Sequence, residues 1–172
     1  MVADATASDG VVLRSVVTST ARHILRYNGI ADTTTTQEVL VRMRLGDDDD
    51  RGPGVALRHT MSPSGTETAY VAYFRSKTDQ IEVNAFVNGG WQFIGAASFV
   101  NNPGQWYWMR FRVEGTILKV RVWANGSTEP TTWTYTGANT SIAAGGVGVY
   151  SYEPNTVDYD YFGVATSGAA AP

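Results

Sequence analysis

Apolar and polar residues alternate with period two along most of this chain, the signature of strands with one buried face. From Leu40 the segment 39–45 sets Leu40, Arg42 and Arg44 against Val41, Met43 and Leu45. Similar runs occupy 11–17, 54–59, 70–75, 80–87, 91–99, 106–114, 117–123, 133–136, 146–152 and 157–165. Between them stand turn signals. Asn88-Gly89 fits a type I′ hairpin turn. Pro53-Gly54, Pro63-Ser64-Gly65, Pro103-Gly104, Asn125-Gly126 and Gly145-Gly146 mark further reversals. Many short strands at this spacing predict an all-β, two-sheet antiparallel sandwich of the jelly-roll kind. One departure is expected at 18–27, where Ala21, Ile24 and Leu25 fit a short helix.

One hairpin can be registered by counting. Glu114-Gly115-Thr116-Ile117 closes a two-residue turn with Glu114 opposite Ile117. Val113 then meets Leu118, Phe111 meets Val120 and Met109 meets Val122, an apolar face that belongs in a core. The reverse face pairs Arg112 with Lys119, Arg110 with Arg121 and Trp108 with Trp123. Facing cations repel, so this Trp/Arg face needs company. Acids from adjacent strands, with guanidiniums stacked on indoles, are one solution. A surface for a sugar, an acidic ligand or another subunit is the other.

Composition narrows the function classes. The 172 residues include 43% hydrophobic and 12% aromatic side chains, enough for one core, and only 17% charged ones. The formal net charge of −3 supplies no global field for nucleic acid or an anionic membrane, and neither is expected as a partner. There is no cysteine, which excludes disulfides and thiolate metal sites. No apolar run is long enough to span a bilayer. Residues 1–10 are small and acidic and do not read as a signal peptide. Lysine is nearly absent beside arginine, as in GC-rich genomes.

Candidate chemistry is sparse. His23 and His59 lie near no nucleophile motif. Asp158 and Asp160 share a strand face, as a glycosidase acid pair does, but ion pairing with arginines is the stronger expectation. Glu82 and Asn84 share another face with a single acid. The run Asp47-Asp48-Asp49-Asp50 offers Asp47 and Asp49 as weak ligands for Ca2+, without the spacing of an EF-hand loop, so no cofactor is expected. Trp91, Trp106, Tyr107, Tyr150 and Tyr152 are candidates for stacking on sugar rings. Trp91, Trp108 and Trp123 are favoured because they stand at a loop edge or on the polar side of a strand.

The segment Trp106-Tyr107-Trp108-Met109-Arg110-Phe111-Arg112-Val113-Glu114-Gly115-Thr116 resembles a strand of concanavalin A-like lectin/glucanase domains. It continues through Leu118-Lys119-Val120-Arg121-Val122-Trp123, Gly126, Glu129-Pro130 and Trp133. Gly146-Val147-Gly148-Val149 and Val157-Asp158-Tyr159-Asp160-Tyr161-Phe162 match the closing strands. The pattern is similar to LamG-like modules, including those in minor tail proteins of phages of GC-rich hosts. The resemblance covers roughly 38–166 and implies a jelly roll there; the strand pattern carries the domain back to 11, giving 11–166 with an arm at 1–10 and a small-residue tail at 167–172. It implies a non-catalytic virion protein, tail-associated or decorating the head. Such a protein would be made in the host cytoplasm and would bind itself, other virion proteins or a host cell-surface glycan. The binding residues would be Trp91, Trp108, Arg110, Arg112, Arg121 and Trp123. A free-standing carbohydrate-binding module is the alternative. A glycosidase or lyase is third, because no strand carries the acidic triplet of the glucanases.

Overall fold

The computed structural model describes residues 1–46, 52–152 and 155–172. The strands are β1 Val2–Ala3, β2 Val11–Val17, β3 Arg22–Tyr27, β4 Gln37–Leu45, β5 Gly54–Met61, β6 Glu67–Arg75, β7 Gln80–Val87, β8 Gly90–Ser98, β9 Trp106–Glu114, β10 Ile117–Ala124, β11 Tyr135–Ala138, β12 Gly146–Tyr152 and β13 Asn155–Thr166. They form two antiparallel sheets. The seven-stranded sheet runs β1-β2-β13-β4-β9-β10-β11 and the six-stranded sheet runs β3-β12-β5-β6-β7-β8. Among the described residues no helix is long and apolar enough to cross a membrane.

The core lies between the sheets and is built from the apolar parity of each strand. Val39, Val41 and Met43 of β4, Met109, Phe111 and Val113 of β9, and Leu118, Val120 and Val122 of β10 face Leu57, Tyr70, Phe74, Ile81 and Val83 opposite. Burying each such aliphatic or aromatic chain contributes about 1.5–3 kcal/mol. The β9–β10 register is the one counted from the turn: Glu114 opposes Ile117, Arg110 opposes Arg121 and Trp108 opposes Trp123. At Asn88-Gly89 both residues have positive φ, 50° and 78°, as a type I′ turn requires.

One expectation is corrected. Residues 22–27 form a strand, not a helix, because β3 gains a full ladder against β12 from Val147–Tyr27 to Tyr152–Arg22. Its own alternation is period two: His23, Leu25 and Tyr27 are exposed while Arg22, Ile24 and Arg26 are half-buried. Residues 167–172, the small-residue tail, lie on the outer face of the seven-stranded sheet. There Ala171 is buried, its N–H donates to Glu38 Oε1 at 2.8 Å, and Tyr161 Oη donates to the Pro172 carbonyl at 2.7 Å. The arm also takes part in the sheet, pairing Val2 with Val12 and Ala3 with Val11.

Candidate functional site

The outer face of the seven-stranded sheet holds the predicted Trp/Arg cluster. Trp108 stacks on Trp123 with centroids 6.2 Å apart and planes at 13°, and Tyr161 meets Trp108 edge-on at 5.4 Å. The like charges of the hairpin are resolved by acids from outside it. Arg110 gives Nε to Glu129 Oε1 at 2.8 Å, Nη2 to Glu129 Oε2 at 3.0 Å, and Nη1 to Glu38 and to the Ala171 carbonyl. Arg112 donates to Glu38 Oε2 at 3.2 Å, Glu114 Oε2 at 3.0 Å and the Gly168 carbonyl at 3.1 Å. Arg121 donates to Glu129 Oε1 at 2.6 Å and to the Thr131 carbonyl at 2.9 Å, and lies 4.3 Å over Trp133. Burial opposes ionisation of Glu129, but hydrogen bonds from Arg110 and Arg121 outweigh it and hold the carboxyl below its usual range. Arg110 and Trp123 are each only 8% exposed. The structure therefore brings five of the six predicted binding residues together and engages the guanidiniums of Arg110, Arg112 and Arg121 in ion pairs within the chain.

The same face disposes of the carboxylate pair. Asp158 accepts from Arg14 Nε at 2.7 Å and Nη2 at 3.0 Å, and from Arg44 Nε at 3.2 Å. Burial would raise its pKa, but these hydrogen bonds and charges outweigh that and lower it. Asp160 pairs with Arg42 and accepts the Ser8 N–H at 2.9 Å. Trp106 lies between Arg42 and Arg44, at 4.5 and 4.6 Å, and donates Nε1 to Thr6 Oγ1 at 2.9 Å. Tyr107 is a core ring against Phe74 and Phe99. His23 is exposed; His59 is buried 3.7 Å from Glu67 Oε1. Among the described residues no cluster of three or more His, Asp or Glu could hold a metal ion. Asp47 and Asp49 lie outside the described residues.

The outer face of the six-stranded sheet is different. Tyr73, Phe86 and Tyr150 form a buried cluster over Ala56, Ala69 and Val71, with Ile24 and Tyr152 packed against it. Gly54 stands opposite Tyr150 on one side and Tyr73 on the other. A Cβ there would lie 2.2 Å from the Ala72 carbonyl oxygen and 2.6 Å from Tyr73 Cβ. Its absence lets the Tyr73 and Tyr150 rings meet across β5, with centroids 5.3 Å apart. Arg22 of β3 puts its guanidinium 3.9 Å from the Phe86 centroid on β7, although β12, β5 and β6 intervene. Four strand spacings span about 19 Å on a flat sheet. This face therefore curves inward and is concave.

In the concavity lies a cavity of about 210 Å³ lined by Arg22, Tyr73, Phe86, Trp91, Tyr150 and Tyr152. Trp91, opposite Phe86 across the β7–β8 ladder, is 60% exposed at its lip. Beneath it runs a polar chain. Asn84 Nδ2 donates to Tyr73 Oη at 2.9 Å, Tyr73 Oη donates to Glu82, and Arg75 lies 3.4 Å from Glu82 Oε1. Arg22 is steadied by Glu67 at 3.8 Å. Trp91, Tyr150 and Tyr152 were legible in the sequence as stacking candidates. Tyr73, Phe86 and Arg22 were not: β6 and β7 are ladder neighbours, and only the curvature brings Arg22 of β3 to them.

No protein-family model matches the chain, and no curated protein sequence matches it. Solved structures do. The carbohydrate-binding module CBM66 from Bacillus subtilis superposes with a TM-score of 0.71 at 12% identity, over 89% of this chain and 86% of that one. The exoplasmic/lumenal domain of VIP36 in its Ca2+/Man-bound form gives 0.62 at 11%, over 93% and 80%. A xylan β-1,4-xylosidase from Bacillus halodurans C-125 gives 0.59 at 11%, over 89% of this chain and 32% of the enzyme. With the two antiparallel sheets, these likenesses show that the chain has the concanavalin A-like jelly-roll fold.

Proposed function

We propose that this chain is a glycan-binding module whose site is the aromatic cavity on the concave face of the six-stranded sheet. The observation that carries this reading is Trp91. It presents an exposed indole at the lip of a cavity walled by Tyr73, Phe86, Tyr150, Tyr152 and Arg22. Aromatic faces stack on the apolar face of a sugar ring, and convergent polar groups orient its hydroxyls. Arg22 and the tyrosines supply both. The fold shared with a carbohydrate-binding module and with a Man-bound lumenal domain is consistent with this use. Asp158, Asp160 and Glu82 do not suggest hydrolysis, because each is engaged by an arginine. The virion setting expected from the sequence stands beside this reading as a proposal carried by that resemblance alone.

A glycan array followed by titration calorimetry tests it. The wild-type chain is expected to bind at least one glycan class. Trp91→Ala should weaken that binding about tenfold or more, the worth of one ring stack. Lys119→Ala, on the far face, should leave it unchanged. Silence across the array, or equal affinity of the Trp91→Ala variant, overturns the proposal.

A further inference from the structure

We infer that Trp91 and Phe93 together extend the site along β8, so that the module takes a glycan of two or more linked rings, one in the cavity and the next on Phe93. This rests on the glycan-binding reading. The cavity, at about 210 Å³, is smaller than the roughly 300–1,000 Å³ of sites that enclose larger ligands. It has room for one ring and not for a chain. Phe93 is not part of its wall, yet it is 50% exposed and lies 6.4 Å from Trp91, centroid to centroid.

The two residues are alternate positions on the strand, so they share a face about 6.6 Å apart. Gln92 between them faces the other way, with its Oε1 accepting from Ser141 Oγ at 3.1 Å. β8 is the last strand of its sheet, so no further strand of that sheet lies beyond Trp91 and Phe93. Large exposed rings in contact are unusual on a surface with no ligand to meet.

The test is calorimetry with mannose, xylose and the di- and trisaccharides of each. The wild-type chain should gain about tenfold in affinity between the monosaccharide and the disaccharide of the series it binds. Phe93→Ala should remove that gain and leave the monosaccharide affinity within about twofold. Phe93→Tyr should keep it. Phe93 is half-exposed, so loss of folding is not expected, and a far-ultraviolet spectrum checks this. A gain that survives in Phe93→Ala overturns the inference while leaving the cavity reading intact, as does an equal loss for all three ligand lengths. Failure of the wild-type chain to bind either series, together with a silent array, overturns both.

Discussion

The guanidinium of Arg22 lies 3.9 Å over the ring of Phe86, joining two strands that are four places apart in their sheet. A bridge of this kind holds the concave face in its curvature and forms one wall of the cavity. Arg22→Ala is expected to weaken glycan binding about tenfold and to lower stability by about 1 kcal/mol or less, since the side chain remains partly exposed. Arg22→Lys keeps the charge but loses the flat stack, so it should recover only part of the affinity. Titration calorimetry beside urea unfolding separates the two effects. Unchanged binding in Arg22→Ala would remove this residue from the site.

Trp123 makes the opposite prediction. It is packed between Trp108, Leu40 and Ala171, 8% exposed and far from the concave face. Trp123→Ala should cost about 3 kcal/mol in urea unfolding and leave glycan affinity unchanged. A selective loss of affinity with full stability would move the binding site to the Trp/Arg face.

Arg58 is a buried cation whose guanidinium donates to backbone carbonyls of three segments. It donates to Thr35 at 2.6 and 3.0 Å, to Gly115 at 2.7 Å and to Ile142 at 2.5 Å, tying the entry of β4, the β9–β10 turn and the approach to β12. Burial lowers its pKa, with Tyr70 acting in the opposite sense. Arg58→Ala should destabilise the chain by about 3 kcal/mol or more, by orphaning three carbonyls. Arg58 also has φ of 49°. Arg58→Gly should therefore be about 1 kcal/mol less damaging than Arg58→Ala, which a pair of denaturation curves resolves.

Acid should unfold this protein through its arginine-paired carboxylates. Asp158 and Glu129 are lowered in the folded state. Their contribution is fully present above the unfolded carboxylate pKa, about 4. It is lost as pH falls from there through the folded values. At the other end burial raises Tyr159, whose hydroxyl donates to the Tyr150 carbonyl, so its contribution holds below about 10 and fades above. Melting temperatures across the pH range should show a plateau with a steep acid limb. Asp158→Asn should flatten that limb.

Ending the chain after Thr166 should uncover Trp123 and Leu40 and strip Glu38 of the Ala171 N–H. The expected result is a loss of about 2 kcal/mol and new binding of a hydrophobic dye. Unaltered stability would show that the docked tail adds nothing to the fold.

Alternation and turn chemistry by themselves determined most of the strands, the β9–β10 register and the core parity, because these depend on neighbours along the chain or across one tight turn. Val113 against Leu118 and Trp108 against Trp123 follow from a two-residue turn alone. The acids that neutralise Arg110, Arg112 and Arg121 were foreseeable in kind but not by name, since Glu38 and Glu129 come from a neighbouring strand and a later loop. The strand at 22–27 was misread because three apolar residues also suit a helical face, and only the ladder to β12 decides between them. The site depended most on tertiary structure. Gly54 lets Tyr73 and Tyr150 meet, and the curl of the sheet brings Arg22 to Phe86. Curvature is a property of many strands together, and no local pattern of residues encodes it.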